Sequence, residues 1–194
     1  MPTIACDWKV VNSGALSGER NMAIDAAALE EMRTGISDTP LLRFFQWSKP
    51  TITYGYLLDP EKVKQWSRSM DHSLWTIDCV KRPTGGGAVL HTPSDLSLSL
   101  LWPRASRMFS DTPRLCYEQI HTIIVDTLNK FLKKNMTLKQ KDTAPSCATN
   151  ERFSACFQAP VCNDVMEGGK KIVGGALRIT REAILYQGTI QYGK

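Results

Sequence analysis

Residues 82–91 read Arg82-Pro83-Thr84-Gly85-Gly86-Gly87-Ala88-Val89-Leu90-His91. Three consecutive glycines are unfavourable in the interior of a helix or a strand, so this segment predicts a loop. It is not G-x-G-x-x-G, because Leu90 stands at the third glycine position, and it is not a Walker A motif, because no Gly-Lys-Ser/Thr follows. Bare backbone N–H groups in such a loop can approach a ligand closely, with Arg82 beside them as a fixed cation. A flexible connection between strands explains the glycines equally well.

Outward from this segment, helices and strands are interspersed along the chain. Apolar residues at helical spacing predict helices over Ser17–Arg33 and over residues 111–133, and Asp59 begins a short helix that reaches about Ser67. Alternating and β-branched stretches predict strands at Leu41–Trp47, Thr51–Leu57, Leu74–Val80, Asp95–Trp102, Ser154–Phe157, Cys162–Met166, Lys171–Ile179 and Ile184–Tyr192. This order predicts an α/β or α+β fold with a mixed sheet.

Composition places the chain among ordinary globular proteins. Its 194 residues are 42% hydrophobic and 22% charged, which excludes a disordered or fibrous chain and suits a single domain over residues 1–194. The last residue, Lys194, follows almost directly on a predicted strand, which leaves open a missing C-terminal segment. No apolar run reaches the ~18 residues that a membrane-spanning helix needs, so no membrane association is predicted.

Charge and the N-terminal residues restrict location and partners. The segment MPTIACDWKV carries Asp7 and Lys9 where a secretory signal needs an apolar core, so a cytoplasmic protein is predicted. The net charge of +5 is compatible with an acidic partner or an anionic ligand. No run of five like charges occurs, and nucleic-acid binding is therefore not predicted.

The cysteines and histidines do not predict a metal site. None of the six cysteines forms a C-x-x-C pair, and the three histidines are scattered along the chain. In a cytoplasmic protein we expect reduced thiols, and most of them are explained as small buried hydrophobic side chains.

One cysteine stands near a lysine in the predicted topology. A turn at Gly168-Gly169 would place the strand that holds Lys171 antiparallel to the strand Cys162–Met166, which follows closely on Cys156. An ammonium beside a thiol favours the thiolate, which is the nucleophilic form. A buried structural Cys156 and solvated side chains at Lys170 and Lys171 are the alternative interpretation, and by burial habits alone they are the commoner one.

Three segments together resemble the biotin/lipoate protein ligase catalytic-domain family. They are residues 82–91, the segment Ala155-Cys156-Phe157-Gln158-Ala159-Pro160, and the segment Gly169-Lys170-Lys171-Ile172-Val173-Gly174-Gly175-Ala176. Residues 21–25, 42–47 and 50–55 also look like that family. The resemblance implies a mainly antiparallel mixed sheet with flanking helices, as in the class II aminoacyl-tRNA synthetase and biotin ligase catalytic domain.

The Cys-Phe segment looks most like the cysteine-dependent octanoyltransferases, beside the lipoate–protein ligase A-like proteins. The resemblance implies transfer of an octanoyl or lipoyl group through a cysteine thioester onto a lysine of a lipoyl domain, with no cofactor required. An ATP-dependent lipoate–protein ligase that forms lipoyl-AMP, with ATP and Mg²⁺, is the alternative. A non-catalytic acyl-binding module is a more distant one.

The same resemblance implies roles for individual residues. Cys156 would carry the acyl group, and Lys171 would contact its carbonyl. The pocket would be lined by Arg82, Gly85, Gly86, Gly87, His91, Gly174 and Ala176. The implied partners are acyl carrier protein and the lipoyl domains of 2-oxoacid dehydrogenase subunits or the glycine-cleavage H protein, with octanoate or lipoate as the acyl group.

This sequence departs from the family pattern at three places. Leu177 stands where the lysine motif commonly has Gln, and Tyr186 stands where a histidine commonly precedes Gln-Gly. Residues 92–95 read Thr-Pro-Ser-Asp in place of the Asp-x-Gly-Asn of the ligases, which disfavours adenylate formation. Candidate walls for an acyl tunnel, which core packing explains equally well, are Leu57, Val89, Ile172 and Val173.

Overall fold

The computed structural model describes residues 7–69, 77–141 and 160–191. The helices are α1 (Gly18–Arg33), α2 (Pro60–Ser69) and α3 (Pro113–Leu132). The strands are β1 (Lys9–Leu16), β2 (Leu41–Trp47), β3 (Thr51–Tyr54), β4 (Asp78–Lys81), β5 (Ala88–His91), β6 (Leu96–Pro103), β7 (Thr137–Leu138), β8 (Val165–Glu167), β9 (Lys170–Ile179) and β10 (Ala183–Ile190).

These strands form two sheets. The larger has seven strands in the order β1-β2-β6-β10-β9-β8-β7, and the smaller has three in the order β4-β3-β5. Only the pairs β1–β2 and β3–β4 are parallel among the described strands, and the others are antiparallel. The predicted mixed, mainly antiparallel sheet with flanking helices is therefore confirmed.

Each face of the larger sheet is covered by one helix. On one face, Leu29 and Met32 of α1 pack against Leu101 and Leu185. On the other face α3 packs through Cys116 and Ile120 against the buried side chains of Trp102, Ile184 and Tyr186. Because side chains alternate along a strand, consecutive residues of β10 serve the two different helices. This alternation decides which residues of β9 and β10 reach the functional site.

Local patterns predicted several elements closely. The strand Leu41–Trp47 has the expected bounds, and α1 begins one residue after Ser17, whose hydroxyl accepts a hydrogen bond from the Arg20 amide. Asp59 accepts from the amide of Glu61 at the start of α2. The predicted hairpin is also confirmed, since β8 and β9 pair antiparallel across Gly168 and Gly169.

Other boundaries differ for physical reasons. β3 ends at Tyr54, not at Leu57, because Gly55 packs against the backbone of the glycine loop. β8 begins only at Val165, because residues 161–164 form a turn in which Asn163 has a left-handed φ of 70°. Neither β1 nor β5 was predicted. Part of the predicted strand 74–80, and all of the strand 154–157, lie outside the described residues.

Candidate functional site

A pocket lies between the two sheets, beside the N-terminal half of α1. Its empty volume, part of which is open to solvent, is about 540 Å³. We call it the central pocket. Six of the residues expected at the site line it: Arg82, Gly86, His91, Lys171, Gly174 and Ala176. The fold therefore brings together residues that are up to 94 positions apart in the chain.

Arg82 shapes the glycine loop from within. Its guanidinium donates to the carbonyl of Gly85 from Nε and Nη2, at 3.1 and 2.6 Å, and to the carbonyl of Gly87 from Nη2, at 2.8 Å. Nη1 donates to the Thr53 carbonyl at 3.2 Å. The side chain is buried, so these bonds compensate the cost of removing the cation from water. Arg82 thus holds the loop in shape, a role that was not predicted from the sequence.

Two positions at the loop require glycine, Gly86 within the loop and Gly55 facing it. Gly86 has a φ of 87°, and a Cβ there would lie 2.9 Å from Nη2 of Arg82. Gly55 of the preceding strand end faces the loop so closely that any Cβ would overlap the carbonyl oxygen of Gly86. The Gly85 amide donates to the carbonyl of Leu177 at 3.3 Å, which fastens the loop onto β9.

His91 is buried and lines the central pocket. Its Nε2 is 2.8 Å from Oγ1 of Thr53, and its ring stacks on the indole of Trp47 with centroids 4.0 Å apart. Trp47 in turn donates from Nε1 to Ser97, whose hydroxyl is bonded to Thr189. These hydrogen-bonded groups make this part of the pocket wall polar.

The apolar part of the pocket is formed by Met22, Phe45, Trp47 and Val89. Of the four expected tunnel walls, only Val89 has this position. Leu57 is 80% exposed after the end of β3, so its assignment was wrong. Ile172 and Val173 pack instead in the core under α3, with Val125 and Val165.

A buried polar chain connects α1 with the glycine loop. Asp25 is bonded to Arg43 at 2.8 Å, both side chains being 1% exposed, and accepts from Nε2 of Gln187 at 2.6 Å. Gln187 accepts from the hydroxyl of Thr84 at 2.7 Å. The pKa of the Asp25 carboxyl is raised above its usual value, because the effect of burial is larger than the opposing effects of Arg43 and the hydrogen bonds.

Gln187, which lines the central pocket, was missed by sequence reasoning, as was the role of this chain. A signal was present: Asn21 and Asp25 stand four residues apart, which is one face of a helix. Polar side chains on a buried helix face need partners, so the pair indicates buried polar partners elsewhere in the chain.

Lys171 is not a solvated lysine. Its side chain is 5% exposed, and Nζ lies 2.8 Å from Oδ2 of Asp164, which is fully buried. The stem of the lysine runs against Gly174, where a Cβ would overlap Lys171 Cε. The neighbouring Lys170 is exposed, as the solvated interpretation predicted. Cys156 lies outside the described residues.

Asp164 and Tyr117 surround the amine and were not predicted. The Tyr117 hydroxyl donates to Oδ1 of Asp164 at 2.6 Å and accepts from the Gly175 amide at 3.0 Å. Burial is the largest cause that raises the pKa of Tyr117 well above its usual value. The ring of His121 lies against that of Tyr117, with centroids 3.9 Å apart. Tyr117 and Asp164 are 47 positions apart, so no local pattern could connect them.

The departures at positions 177 and 186 lie on the α3 face of the sheet. Leu177 and Tyr186 are partners in the β9–β10 register and pack in the cluster that α3 covers. The hydroxyl of Tyr186 is 2.8 Å from Nε2 of His121. Gly175 and Gly188 leave room for its ring, since a Cβ at either would overlap it. Both side chains therefore point away from the central pocket.

A shallower groove opens beside the central pocket. It includes Arg114, Tyr117 and Cys162, and shares Gly86 and Gly175 with the central pocket.

In the described ranges no group of three or more His, Cys, Asp or Glu side chains could hold a metal ion. Of the helices in those ranges, none is both long and apolar enough to cross a membrane.

Several solved structures share this fold. A T. acidophilum protein solved with bound lipoic acid superposes with a TM-score of 0.68 at 21% identity, covering 95% of this chain and 68% of its own. Lipoate-protein ligase A bound with ATP superposes with a TM-score of 0.63 at 21% identity, covering 97% of this chain and 68% of its own. At these identities the likeness establishes the fold alone.

Relatives found by sequence comparison have a higher sequence identity to this chain. Octanoyltransferase LipM of Carboxydothermus hydrogenoformans is 29% identical over 183 residues, and LipM of Lysinibacillus sphaericus is 30% identical over 187. Each alignment covers 94% of this chain but only 64% and 65% of the respective relative, so the chain spans less than two thirds of their length. The lipoyl protein ligase A/B catalytic domain matches residues 17–193. The chain therefore belongs to the lipoyl protein ligase A/B catalytic-domain family.

Proposed function

We propose that this chain is an acyltransferase that moves an octanoyl or lipoyl group through a thioester on Cys156 onto a lysine of a lipoyl domain. The observation that carries the proposal is the buried amine of Lys171 at the edge of a part-apolar pocket bounded by the glycine loop. The octanoyltransferase names of the relatives support it from sequence.

The first half-reaction exchanges one thioester for another. The Cys156 thiolate attacks the carbonyl carbon of the carrier thioester, a new C–S bond forms, and the old C–S bond breaks as the carrier thiolate leaves and takes up a proton. Because the two thioesters are similar in energy, the protein must lower the barrier and not drive the equilibrium. The negative charge on the carbonyl oxygen is the point where stabilisation matters.

In the second half-reaction a lysine amine of the lipoyl domain attacks the Cys156 thioester. The C–N bond forms, the C–S bond to Cys156 breaks, and the departing sulfur takes up the proton that the amine loses, which regenerates the enzyme. Formation of an amide from a thioester is favourable and makes the transfer irreversible in practice. No nucleotide enters either step.

Lys171 acts in both steps as a hydrogen-bond donor. An ammonium already paired with Asp164 is held as a donor, so it is suited to a carbonyl oxygen and not to proton removal from the incoming amine. The pairing also reduces its effect on a nearby thiol, because the aspartate opposes the charge of the ammonium. We therefore assign Lys171 to the oxyanion.

The central pocket accommodates the acyl chain. Met22, Phe45 and Val89 offer apolar contact, and each buried methylene contributes ~0.8 kcal/mol of binding. The polar groups of His91 and Thr53 in its wall limit the apolar part of the pocket. A medium-length chain such as octanoyl or lipoyl suits such a pocket better than a long fatty acyl chain.

The partners follow from this chemistry. Acyl carrier protein is the proposed donor, and lipoyl domains of 2-oxoacid dehydrogenase subunits or the glycine-cleavage H protein are the proposed acceptors. These partners tend to be acidic, and the net charge of +5 favours their approach.

Intact-mass measurement tests the proposal. After incubation with octanoyl carrier protein, the wild type should gain one octanoyl group, and Cys156→Ala should gain none. Cys79→Ala is the control, because Cys79 is a half-buried thiol on β4 and should leave the adduct unchanged. An adduct that persists in Cys156→Ala would contradict the assignment.

The ligase alternative has its own result. With free lipoate, ATP, Mg²⁺ and an apo lipoyl domain, a ligase modifies the domain even when Cys156 is alanine. ATP-dependent modification of this kind, without an acyl adduct on the wild type, would replace the transferase with the ligase. Binding of octanoate without turnover in either assay would indicate a binding module.

A further inference from the structure

We propose that Asp164 and Tyr117 are positioning residues for Lys171, and that together they fix the direction of its ammonium at the central pocket. The inference rests on the proposed acyl transfer and adds the residues that make Lys171 effective. Neither side chain lines the central pocket, so neither is placed to contact the acyl group itself.

Asp164 is saturated on both oxygens. Oδ2 accepts from Lys171 Nζ at 2.8 Å and from the Val161 amide at 2.7 Å, while Oδ1 accepts from the Tyr117 hydroxyl at 2.6 Å. The bond to Val161 closes the turn that precedes β8, so the carboxylate is anchored to backbone as well as to side chains. A fully buried carboxylate with three donors has no alternative rotamer that keeps them.

Tyr117 orients this carboxylate from α3. The Gly175 amide donates to the hydroxyl at 3.0 Å, which leaves the phenolic proton for Asp164. The ring is held by its contact with His121, on the same helix. Tyr117 therefore links α3, β9 and Asp164 in one fixed geometry.

The lysine stem is constrained on its remaining side. Gly174 lies directly against Cε of Lys171, so the stem follows the strand surface through space that only a glycine leaves open. An amine fixed at its stem and at its head cannot swing toward solvent. Groups that are oriented before charge develops need no reorganisation during the reaction, and this is the main source of their catalytic effect.

A purely structural staple between β8 and β9 is the competing interpretation of the same pair. The two interpretations differ in what the Tyr117 hydroxyl does. In a staple its loss lowers stability and nothing else. In a positioning arrangement its loss lowers kcat, because the donor to the carbonyl oxygen is less well aimed in the transition state.

The chain offers a matched pair of variants. Tyr117→Phe and Tyr186→Phe each remove one hydrogen-bonded hydroxyl on the α3 face, but only the Tyr117 hydroxyl touches Asp164. We expect Tyr117→Phe to lower kcat by about 10-fold with KM within about twofold, and Tyr186→Phe to change both by less than about twofold. Equal losses of kcat in the two variants would overturn the proposal, as would an unchanged kcat in Tyr117→Phe.

A second measurement does not depend on transfer. An amine-specific acetylating reagent should label Lys171 slowly in the wild type, because its ammonium is buried and paired, and at least about 5-fold faster in Asp164→Asn. Lys170, exposed and next in sequence, is the internal control and should label at the same rate in both proteins. Unchanged labelling of Lys171 would show that Asp164 does not hold the amine.

The two proposals can fail separately. If the wild type forms no octanoyl adduct, the transferase is wrong, and the labelling then still decides whether Asp164 holds the amine. If the wild type transfers normally while Tyr117→Phe and Asp164→Asn behave like Tyr186→Phe, the positioning role is wrong and the transferase stands. Asp164→Glu retains the charge but not the geometry, and should restore slow labelling without restoring kcat.

Discussion

Lys171 owes its environment to single-residue choices around it. Gly174 leaves room for its stem, Asp164 holds its head, and Gly175 supplies the amide that orients Tyr117. A side chain at either glycine would overlap a neighbour, so the pair of glycines in β9 is explained by packing. At the scale of the residue, the two glycines are as necessary to this site as the charged pair of Lys171 and Asp164.

His121 gives a prediction at the same scale. Burial lowers the pKa of His121 to about 4, and Lys171 lowers it further while Asp164 and the Asn163 backbone oppose the shift. Between the ordinary value near 6.5 and about 4, the unfolded chain binds a proton at this position that the folded chain does not. Folding stability from this group is therefore full above pH 6.5 and is lost as the pH falls through that window.

Urea unfolding at pH 7.5 and pH 5 measures the effect. We expect His121 to contribute a loss of about 2 kcal/mol between these two pH values, and the loss should be absent from His121→Gln. The variant will be less stable at both pH values because the contact with Tyr186 changes, so only the difference between them is compared. Equal pH dependence in the two proteins would contradict the shift.

At the scale of the element, the glycine loop and its neighbours behave as one unit. The loop lies between β4 and β5, is held by Arg82 from inside, and is fastened to β9 through the Gly85 amide. Four of the ten residues in the segment predicted as a loop form strand β5, because Ala88–His91 pairs with β3. The contact that requires a glycine most strictly comes from outside the segment, at Gly55.

Two alanine substitutions test this packing. Gly55→Ala should lower the free energy of unfolding by about 1–3 kcal/mol, because its Cβ would overlap the carbonyl oxygen of Gly86, which is backbone and has little room to move. Gly85→Ala should be close to neutral in stability, since its Cβ would meet nothing nearer than 3.8 Å. Urea midpoints compare the two, and equal midpoints would show that the close approach is relieved elsewhere.

At the scale of the whole molecule, one buried polar chain joins distant parts. Arg43 on β2, Asp25 on α1 and Gln187 on β10 connect the helix, the sheet and, through Thr84, the glycine loop. Replacement by apolar residues would be compatible with stability, but breaking one member leaves a buried charge without its partner. The pocket is therefore coupled to the core of the protein.

Removal of Asp25 tests that coupling. Asp25→Ala should lower the free energy of unfolding by about 3–5 kcal/mol, because Arg43 remains buried and loses its counter-charge. Glu30→Ala, on the same helix, removes the exposed pair with Arg33 and should have little effect. Chemical denaturation distinguishes them; a small effect of Asp25→Ala would mean that water reaches Arg43 in the variant.

Much of the fold was predictable where local chemistry decides it. The strand Leu41–Trp47 and the helix capped by Ser17 follow from side-chain periodicity and from capping, which act within a few residues. The hairpin at Gly168-Gly169 was predicted from its glycines, and it places Lys171 correctly on β9. The roles of Arg82 and of Leu57 were predicted less well, because both depend on how the loop packs against other strands.

The sequence by itself determined the class of fold, the order of most elements, and a family resemblance that the comparison with known domains confirms. Tertiary structure alone decided the partner of Lys171, the clamp that Arg82 forms, and the face on which Leu177 and Tyr186 lie. The physical reason is distance along the chain. Periodicity and capping depend on residues within one helical turn or one strand. The hydrogen bond between Tyr117 and Asp164 joins residues 47 positions apart, and it forms only when α3 packs on the sheet.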